Sequence, residues 1–149
     1  MRIVTRALTA ACCLFVAVPV VRADSQSLPA ATVVPSDLKW TLSSSGIYVS
    51  RIAGDSTKSG IYTLRSRFPA GLRIEPHSHP DDRVVIVLSG TVYFGYGDEF
   101  DETKLVALPA GSMWTEPAAQ THFAWARDGE TVIQITGYGP SGNSPVRKK

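Results

Sequence analysis

Two of the three histidines in the chain, His77 and His79, are separated by a single residue. In a strand this spacing places both rings on one face, with Cα atoms about 6.6 Å apart. Two such imidazoles can bind one metal ion at about 2.0–2.1 Å, and His122 opens a later predicted strand that could face them. Three nitrogen ligands would leave positions on the metal open for water or a ligand. Solvated rings at a strand end are the alternative interpretation of the same spacing.

The elements that must position these histidines are short strands. We predict strands where runs rich in Val, Ile, Thr, Tyr and Trp lie between Gly, Pro, Asp and Ser residues. The predicted strands are residues 38–41, 47–51, 61–68, 72–77, 83–88, 91–96, 104–108, 112–116, 121–127 and 131–138. No long stretch has helical periodicity. The pattern therefore predicts an all-β protein, with an antiparallel sandwich or barrel in a single domain.

The first 23 residues have the features of a removable export signal. Arg2 and Arg6 precede an apolar run over residues 7–21, and Val21 and Ala23 suit a cleavage site. The run is shorter than the roughly 20 residues of a membrane-spanning helix, so we expect no membrane span after cleavage. The sequence thus predicts a periplasmic or secreted protein. We expect an extended lead-in at residues 24–37, a barrel domain at 38–140 and a mobile tail at 141–149.

The composition restricts the chemistry of the mature protein. With 44% hydrophobic and 19% charged residues, the chain is typical of a globular domain. Loss of the three signal arginines changes the formal net charge from +2 to −1, which argues against nucleic acid as a partner. Both cysteines, Cys12 and Cys13, lie in the signal, so the mature chain has no thiol or disulfide chemistry.

A longer pattern surrounds the histidines and resembles the two signature motifs of the cupin superfamily. The matching positions are Gly71, His77, His79 and Gly90 in the first motif, and Gly111, Pro117 and His122 in the second. The resemblance implies a small β-barrel of jelly-roll topology, which holds a metal ion on His77, His79 and His122. Residues 80–90 are also similar to exported single-domain cupins.

The chain departs from the cupin pattern at Arg83, which stands where the usual glutamate ligand would lie. A guanidinium cannot coordinate a metal and opposes metal binding unless a carboxylate or bound anion offsets its charge. One interpretation is that Arg83 pairs with Asp81, Asp82 or Glu75 and orders the mouth of the barrel. A second is that its planar fork receives a substrate carboxylate. A third, an outward-facing Arg83 after a bulge, is disfavoured by strand parity.

Further polar side chains are candidates for the surroundings of the metal. Strand parity brings Glu75 and Asp81 to the histidine face, as acceptors for an imidazole N–H or as a fourth ligand. Glu116 could approach the same mouth. Gln134 points opposite to its two isoleucine neighbours and could face the cavity. A solvated surface position is the alternative for each carboxylate.

Three functions stay open at this point, and the sequence does not decide whether the protein is an enzyme. The first is an exported cupin that holds a divalent metal on three histidines and binds a small polar or anionic molecule. The second is a three-histidine non-haem metal dioxygenase of a small chelating substrate. The third is a metal-free binding or structural cupin. Because an exported chain takes its metal where it folds, zinc, copper, nickel or manganese is favoured, with iron as the alternative.

Residues 84–88 are apolar on both faces of their predicted strand. A strand of this kind is typically covered on two sides. One side would be the barrel interior, and the other could be a second sheet or a partner subunit. A homodimer is therefore among the expected partners.

Overall fold

The computed structural model describes residues 25–146, so the predicted signal peptide at residues 1–23 lies outside the described part. As predicted, the chain folds almost entirely into β-strands. They are β1 Thr41–Leu42, β2 Tyr48–Ala53, β3 Gly60–Phe68, β4 Arg73–Ser78, β5 Arg83–Ser89, β6 Thr91–Tyr96, β7 Val106–Pro109, β8 Met113–Glu116, β9 His122–Trp125, β10 Thr131–Gly139 and β11 Ser144–Pro145. Short 3₁₀ turns cover Pro35–Asp37 and Glu102–Lys104. Among the described residues, none of the helices has the length and apolar character needed to cross a bilayer.

The strands form two antiparallel sheets in the described part of the chain. One sheet has the order β1-β2-β3-β10-β5-β8, and the other has the order β11-β4-β9-β6-β7. Chain segments pass from one sheet to the other, as between β3 and β4 and between β9 and β10. This is the jelly-roll barrel that the sequence predicts.

The core lies between the two sheets and follows from alternation along the strands. In β5, Val85 and Val87 are buried in the core. In β10, Ile133 and Ile135 point to the same interior. Successive side chains of a strand point to opposite faces of the sheet. Every second residue of each strand therefore points into the core, and only these residues need to be apolar. The outer face of β5 is different, because Val84, Ile86 and Leu88 are 40–43% exposed in the single chain.

Several predicted strand boundaries were wrong by two or three residues, and local polar contacts explain two of them. The strand expected at residues 104–108 begins only at Val106, because Asp101 accepts a hydrogen bond from the Thr103 backbone N–H at 2.9 Å. That contact caps a 3₁₀ turn and competes with sheet pairing. The strand expected at residues 38–41 is reduced to Thr41–Leu42. The N–H of Leu38 instead donates to Pro35 O at 3.4 Å and closes the preceding 3₁₀ turn.

The segments on either side of the barrel are tied to it. Residues 25–34 form neither helix nor strand, and the Gln26 side chain donates to Asp55 O and accepts from Asp55 N, both at 2.9 Å. Past residue 140, β11 pairs with β4. The mobility expected for residues 141–149 stays a prediction, although residues 141–146 lie against the barrel.

Gly137 on β10 provides the space for a buried polar contact. A Cβ at this position would lie 2.6 Å from Tyr62 Oη and 2.7 Å from Asp81 Oδ2. Those two atoms are themselves hydrogen-bonded at 2.6 Å and buried, so neither can move aside freely. A side chain at residue 137 is therefore excluded by this contact.

We expect Gly137→Ala to lower the free energy of unfolding by about 1–3 kcal/mol, the usual cost of overpacking a buried position. Thermal and chemical unfolding of the purified variant would measure the loss. Gly129→Ala is the matched control, because a Cβ at Gly129 meets no atom within 4 Å. Equal stability of the two variants would contradict the steric argument.

Candidate metal centre

The three histidines lie together at one end of the space between the sheets. His77 is in β4, His79 follows the end of that strand, and His122 is the first residue of β9. The antiparallel pairing of β4 with β9 places His77 directly opposite His122. The ring centroids are 4.5–5.1 Å apart, and one ring nitrogen of each histidine lies within 4.8 Å of the others. The structure thus brings together the three residues predicted as metal ligands.

Each of the three rings is held at Nδ1 by a backbone carbonyl. The acceptors for His77, His79 and His122 are the carbonyl oxygens of Glu75, Gly142 and Gln120, at 2.8, 2.6 and 3.0 Å. A carbonyl oxygen can only accept, so Nδ1 must carry the proton in all three rings. In the neutral ring the free lone pair is then on Nε2, which is the atom available to a metal ion.

Burial keeps these imidazoles neutral. Desolvation lowers the pKa of His77 and His122 below the usual histidine value. The pKa of His79 falls to about 3, mainly through burial and secondarily through the nearby positive charge of Arg83. A metal ligand must be deprotonated, so the environment favours the form that can coordinate.

Glu116 joins the cluster from the last position of β8. Its Oε1 lies 3.5 Å from His122 Nε2, and its Oε2 lies 3.6 Å from His79 Nε2. The indole Nε1 of Trp114 donates to Oε1 at 3.1 Å. Burial raises the pKa of Glu116, and the positive charge of Arg83 acts in the opposite direction.

Two buried atoms of this cluster lack a polar partner within residues 25–146. Glu116 Oε2 and His122 Nε2 are both shielded from solvent and make no hydrogen bond in this part of the chain. Both are acceptors, and buried acceptors are costly to leave unpaired. A divalent cation coordinated by the histidines would satisfy them, so the residues present fit a metal ion.

Arg83 faces the cluster and is neutralised by acids of the protein itself. Its Nε lies 3.5 Å from Asp81 Oδ2, and its Nη1 lies 3.6 Å from Glu116 Oε2. Nη2 donates to Ser141 Oγ and, at 3.4 Å, to the Gly142 carbonyl. With 11% of its side chain exposed, Arg83 does not face outward. Of the three interpretations, pairing with Asp81 is the one that matches these contacts, and Glu116 is a second partner that the sequence did not predict for Arg83.

Asp81 is fixed in turn by two hydroxyl groups. Tyr62 Oη donates to Oδ2 at 2.6 Å, and Ser141 Oγ donates to Oδ1 at 2.5 Å. Asp81 is therefore the partner of Arg83, and its oxygens make no hydrogen bond to a histidine within residues 25–146. Both of its oxygens are already occupied by donors.

Two predicted site residues are not brought to the cluster. Glu75 is exposed, and only its backbone carbonyl takes part, because a register shift between Ile74 and His77 breaks the parity on which the prediction depended. Gln134 lies on the outer face of its sheet, where its Oε1 accepts from Arg65 Nε at 3.1 Å. Its neighbours on β10 occupy the interior instead.

A cavity of about 360 Å³ extends from the histidines into the barrel. Its polar end contains the three histidines with Arg83 and Glu116. Its walls are mostly apolar and include Leu64, Phe94 and Ile135. The cavity can therefore hold a small molecule with a polar group at the histidines and an apolar part between the sheets.

Sequence reasoning missed the contribution of the C-terminal segment. Gly142 supplies the carbonyl that holds His79, and Ser141 bonds both Arg83 and Asp81. The Gly142 contact uses a backbone atom, which leaves no residue-type signal in the sequence. The serine is one of many in the chain, and nothing in its local sequence distinguishes it.

Comparison with known proteins agrees with this architecture. Residues 29–141 match the family described as ChrR Cupin-like domain. A similar solved structure is an RmlC-like cupin from Shewanella frigidimarina, with a TM-score of 0.59, 16% identity, and coverage of 81% of this chain and 96% of that one. Another is KdgF from Halomonas sp., with a TM-score of 0.60, 18% identity, and coverage of 74% of this chain and 96% of that one. A third is the polyketide cyclase RemF from Streptomyces resistomycificus, with a TM-score of 0.68, 12% identity, and coverage of 81% of this chain and 88% of that one. No curated protein matches the sequence significantly.

Proposed function

The chain belongs to the family of ChrR cupin-like domains, and on this basis we propose that it is an exported cupin that holds one divalent metal ion on His77, His79 and His122. The observation that carries the proposal is that all three Nδ1 atoms contact backbone carbonyls, which leaves three Nε2 lone pairs for one space. None of these three Nε2 atoms carries a proton, so they are acceptors without a donor, and a cation bound between them would stabilise them.

Zinc, copper, nickel or manganese is the proposed metal. Imidazole nitrogen suits zinc, copper and nickel, and affinity among divalent ions rises toward copper. In the periplasm or the medium, where the chain would fold, this order of affinity favours zinc, copper and nickel over ferrous iron. The localisation part of the proposal is supported by the composition of residues 1–23.

The proposed ligand is a small molecule with an anionic or chelating head and a short apolar body. The histidine end of the cavity would bind the head through open positions on the metal. Asp81, Arg83 and Glu116 together carry one net negative charge when both acids are ionised, so a divalent ion leaves one positive charge at the site. A monoanion would neutralise it. The cavity volume of about 360 Å³ is at the small end of the usual range for ligand sites.

The three-histidine dioxygenase and the metal-free barrel are the alternatives to this proposal. Stoichiometric iron together with oxygen uptake would favour the dioxygenase. Protein recovered without any metal, and unable to bind one, would favour the barrel alone. Elemental analysis of protein from its native compartment separates the three.

We expect His77→Ala, His79→Ala and His122→Ala each to lower the metal content and to abolish the rise of Tm on metal addition. Binding to the folded state stabilises it by about 2.7 kcal/mol when the metal is at a hundred times Kd, and this gain would be lost. Glu75→Ala is the control, because it removes an exposed acid and keeps the carbonyl that holds His77. Unchanged metal content in all three histidine variants would contradict the site.

For the ligand, we expect straight-chain carboxylates to bind the metal-loaded protein about fourfold more tightly for each added CH₂, until the cavity is full. The increment corresponds to about 0.8 kcal/mol per buried CH₂. Calorimetric titration of the series from acetate upward would measure it. Leu64→Phe should weaken binding of the longer members only, whereas Ile86→Phe on the outer face should leave the series unchanged. If the affinity does not depend on the number of CH₂ groups in the carboxylate, the proposal that the ligand has an apolar body in the cavity is wrong.

We also propose that the protein forms a homodimer through the outer face of β5 and its neighbouring strands. Val84, Ile86 and Leu88 are exposed along β5, Met113 on β8 is paired with Ile86, and Ile61 on β3 lines a surface depression together with Val84. A continuous apolar patch on the outside of a sheet is typical of an interface.

Light scattering is expected to give the mass of two chains for the parent protein and of one chain for Ile86→Asp. An aspartate here would bury an unpaired charge between the subunits. Val106→Asp is the control, because Val106 is 61% exposed in the other sheet. A parent protein that is monomeric at micromolar concentration would refute this interface.

A further inference from the structure

We infer that Glu116 supplies a fourth protein ligand to the metal ion, from β8 and on the opposite side of the cavity from β4. The inference rests on the proposed three-histidine site and adds a carboxylate oxygen to it. The unpartnered Glu116 Oε2, buried and adjacent to His79, is the observation from which the argument starts.

The distances around Glu116 are those of ligands that share an ion. Its oxygens lie 3.5 Å from His122 Nε2 and 3.6 Å from His79 Nε2. Two ligands bound to one ion at about 2.0–2.2 Å with tetrahedral geometry lie about 3.3–3.6 Å apart. A charge-assisted hydrogen bond would instead be about 2.7–2.9 Å long. Each Glu116 oxygen is therefore separated from one imidazole nitrogen by the distance expected between two ligands of one ion, and not by that of a direct hydrogen bond.

Glu116 is held in this orientation by the local structure. Trp114 and Glu116 alternate with exposed residues along β8, so both side chains point into the cavity. The indole N–H of Trp114 donates to Oε1 at 3.1 Å, which fixes the plane of the carboxylate. A ligand oriented by such a hydrogen bond needs little rearrangement to bind a metal.

Arg83 compensates the charge of Glu116 without blocking it. The two residues are paired directly across β5 and β8, and Arg83 Nη1 lies 3.6 Å from Glu116 Oε2. That separation is longer than a hydrogen bond, so the oxygen retains lone pairs for a cation. Asp81 is the weaker candidate for the same role, because each of its oxygens already accepts a hydrogen bond, from Tyr62 or Ser141, whereas Glu116 Oε2 accepts none within residues 25–146.

A carboxylate ligand has a consequence for metal preference. Three imidazoles alone form a purely nitrogen site, which suits copper, nickel and zinc. Oxygen ligands favour harder ions such as manganese. Loss of the Glu116 charge should therefore weaken Mn²⁺ binding more than Cu²⁺ binding.

The test compares Glu116→Gln with the parent protein by calorimetric titration of Mn²⁺ and Cu²⁺. The glutamine keeps the size of the side chain and an acceptor for Trp114. We expect the Mn²⁺ affinity to fall at least tenfold, and the Cu²⁺ affinity to fall less. Removal of groups that only support a metal site already costs about 10–100-fold. Equal Mn²⁺ affinity of parent and variant would overturn the inference.

Asp81→Asn is the matched control, because it removes the other acid beside Arg83 without removing a proposed ligand. If Glu116 acts only by balancing the charge of Arg83, the two variants will lose Mn²⁺ affinity equally, and the inference fails. A markedly smaller loss in Asp81→Asn supports ligation.

The infrared difference spectrum of the parent protein tests carboxylate ligation directly, so this test does not depend on whether a variant folds. Addition of Mn²⁺ should shift a carboxylate stretching band, and an unshifted spectrum at saturating Mn²⁺ would contradict ligation. The outcomes also separate this inference from the proposed function. A parent protein that binds no metal removes the whole site, whereas normal metal binding in Glu116→Gln removes only the fourth ligand.

Discussion

The arrangement of the site depends on hydrogen bonds between imidazole Nδ1 atoms and main-chain carbonyls. These contacts determine which nitrogen of His77, His79 and His122 carries the proton, and they do so without any other side chain. Backbone acceptors belong to the framework of the barrel, so the direction of each lone pair is set by the fold. The pairing of β4 with β9 then brings two of the rings together across adjacent strands, with centroids 4.5 Å apart and planes tilted by 58°. The cluster that could hold a metal ion and the barrel itself thus depend on the same segments.

Buried charge in the cavity is arranged around Arg83. An isolated guanidinium beside three imidazoles would repel a cation, but Asp81 and Glu116 lie on either side of it. The resulting network continues outward to Tyr62 and Ser141, and it occupies the space left by the missing side chain of Gly137. Glu116 Oε2 and Arg83 Nε make no hydrogen bond within residues 25–146, so the network is not fully satisfied in the described part of the chain. The two acids nevertheless offset the charge of an arginine that lies close to three histidines.

Much of the fold could be predicted from the sequence because it depends on local alternation and on turn residues. The strand over β5 and the convergence of the histidines follow from residue types that are visible in the chain. Glu75 was misplaced because parity fails at the register shift before His77. Gln134 was misplaced because its environment is set by Arg65 on a neighbouring strand, which no local pattern specifies. The pairing of Arg83 with Glu116 depends on cross-strand register between distant segments. Sequence spacing therefore predicts the convergence of the histidines better than it predicts how the nearby charges are balanced.

The contact between His79 and Gly142 joins residues that are 63 positions apart in the chain. Ribosomes synthesise a chain from its N-terminal end, so the paired histidines emerge before this carbonyl does. The hydrogen bond that orients the His79 ring can therefore form only after residue 142 has been synthesised. The geometry of the three rings is consequently completed by the C-terminal part of the barrel.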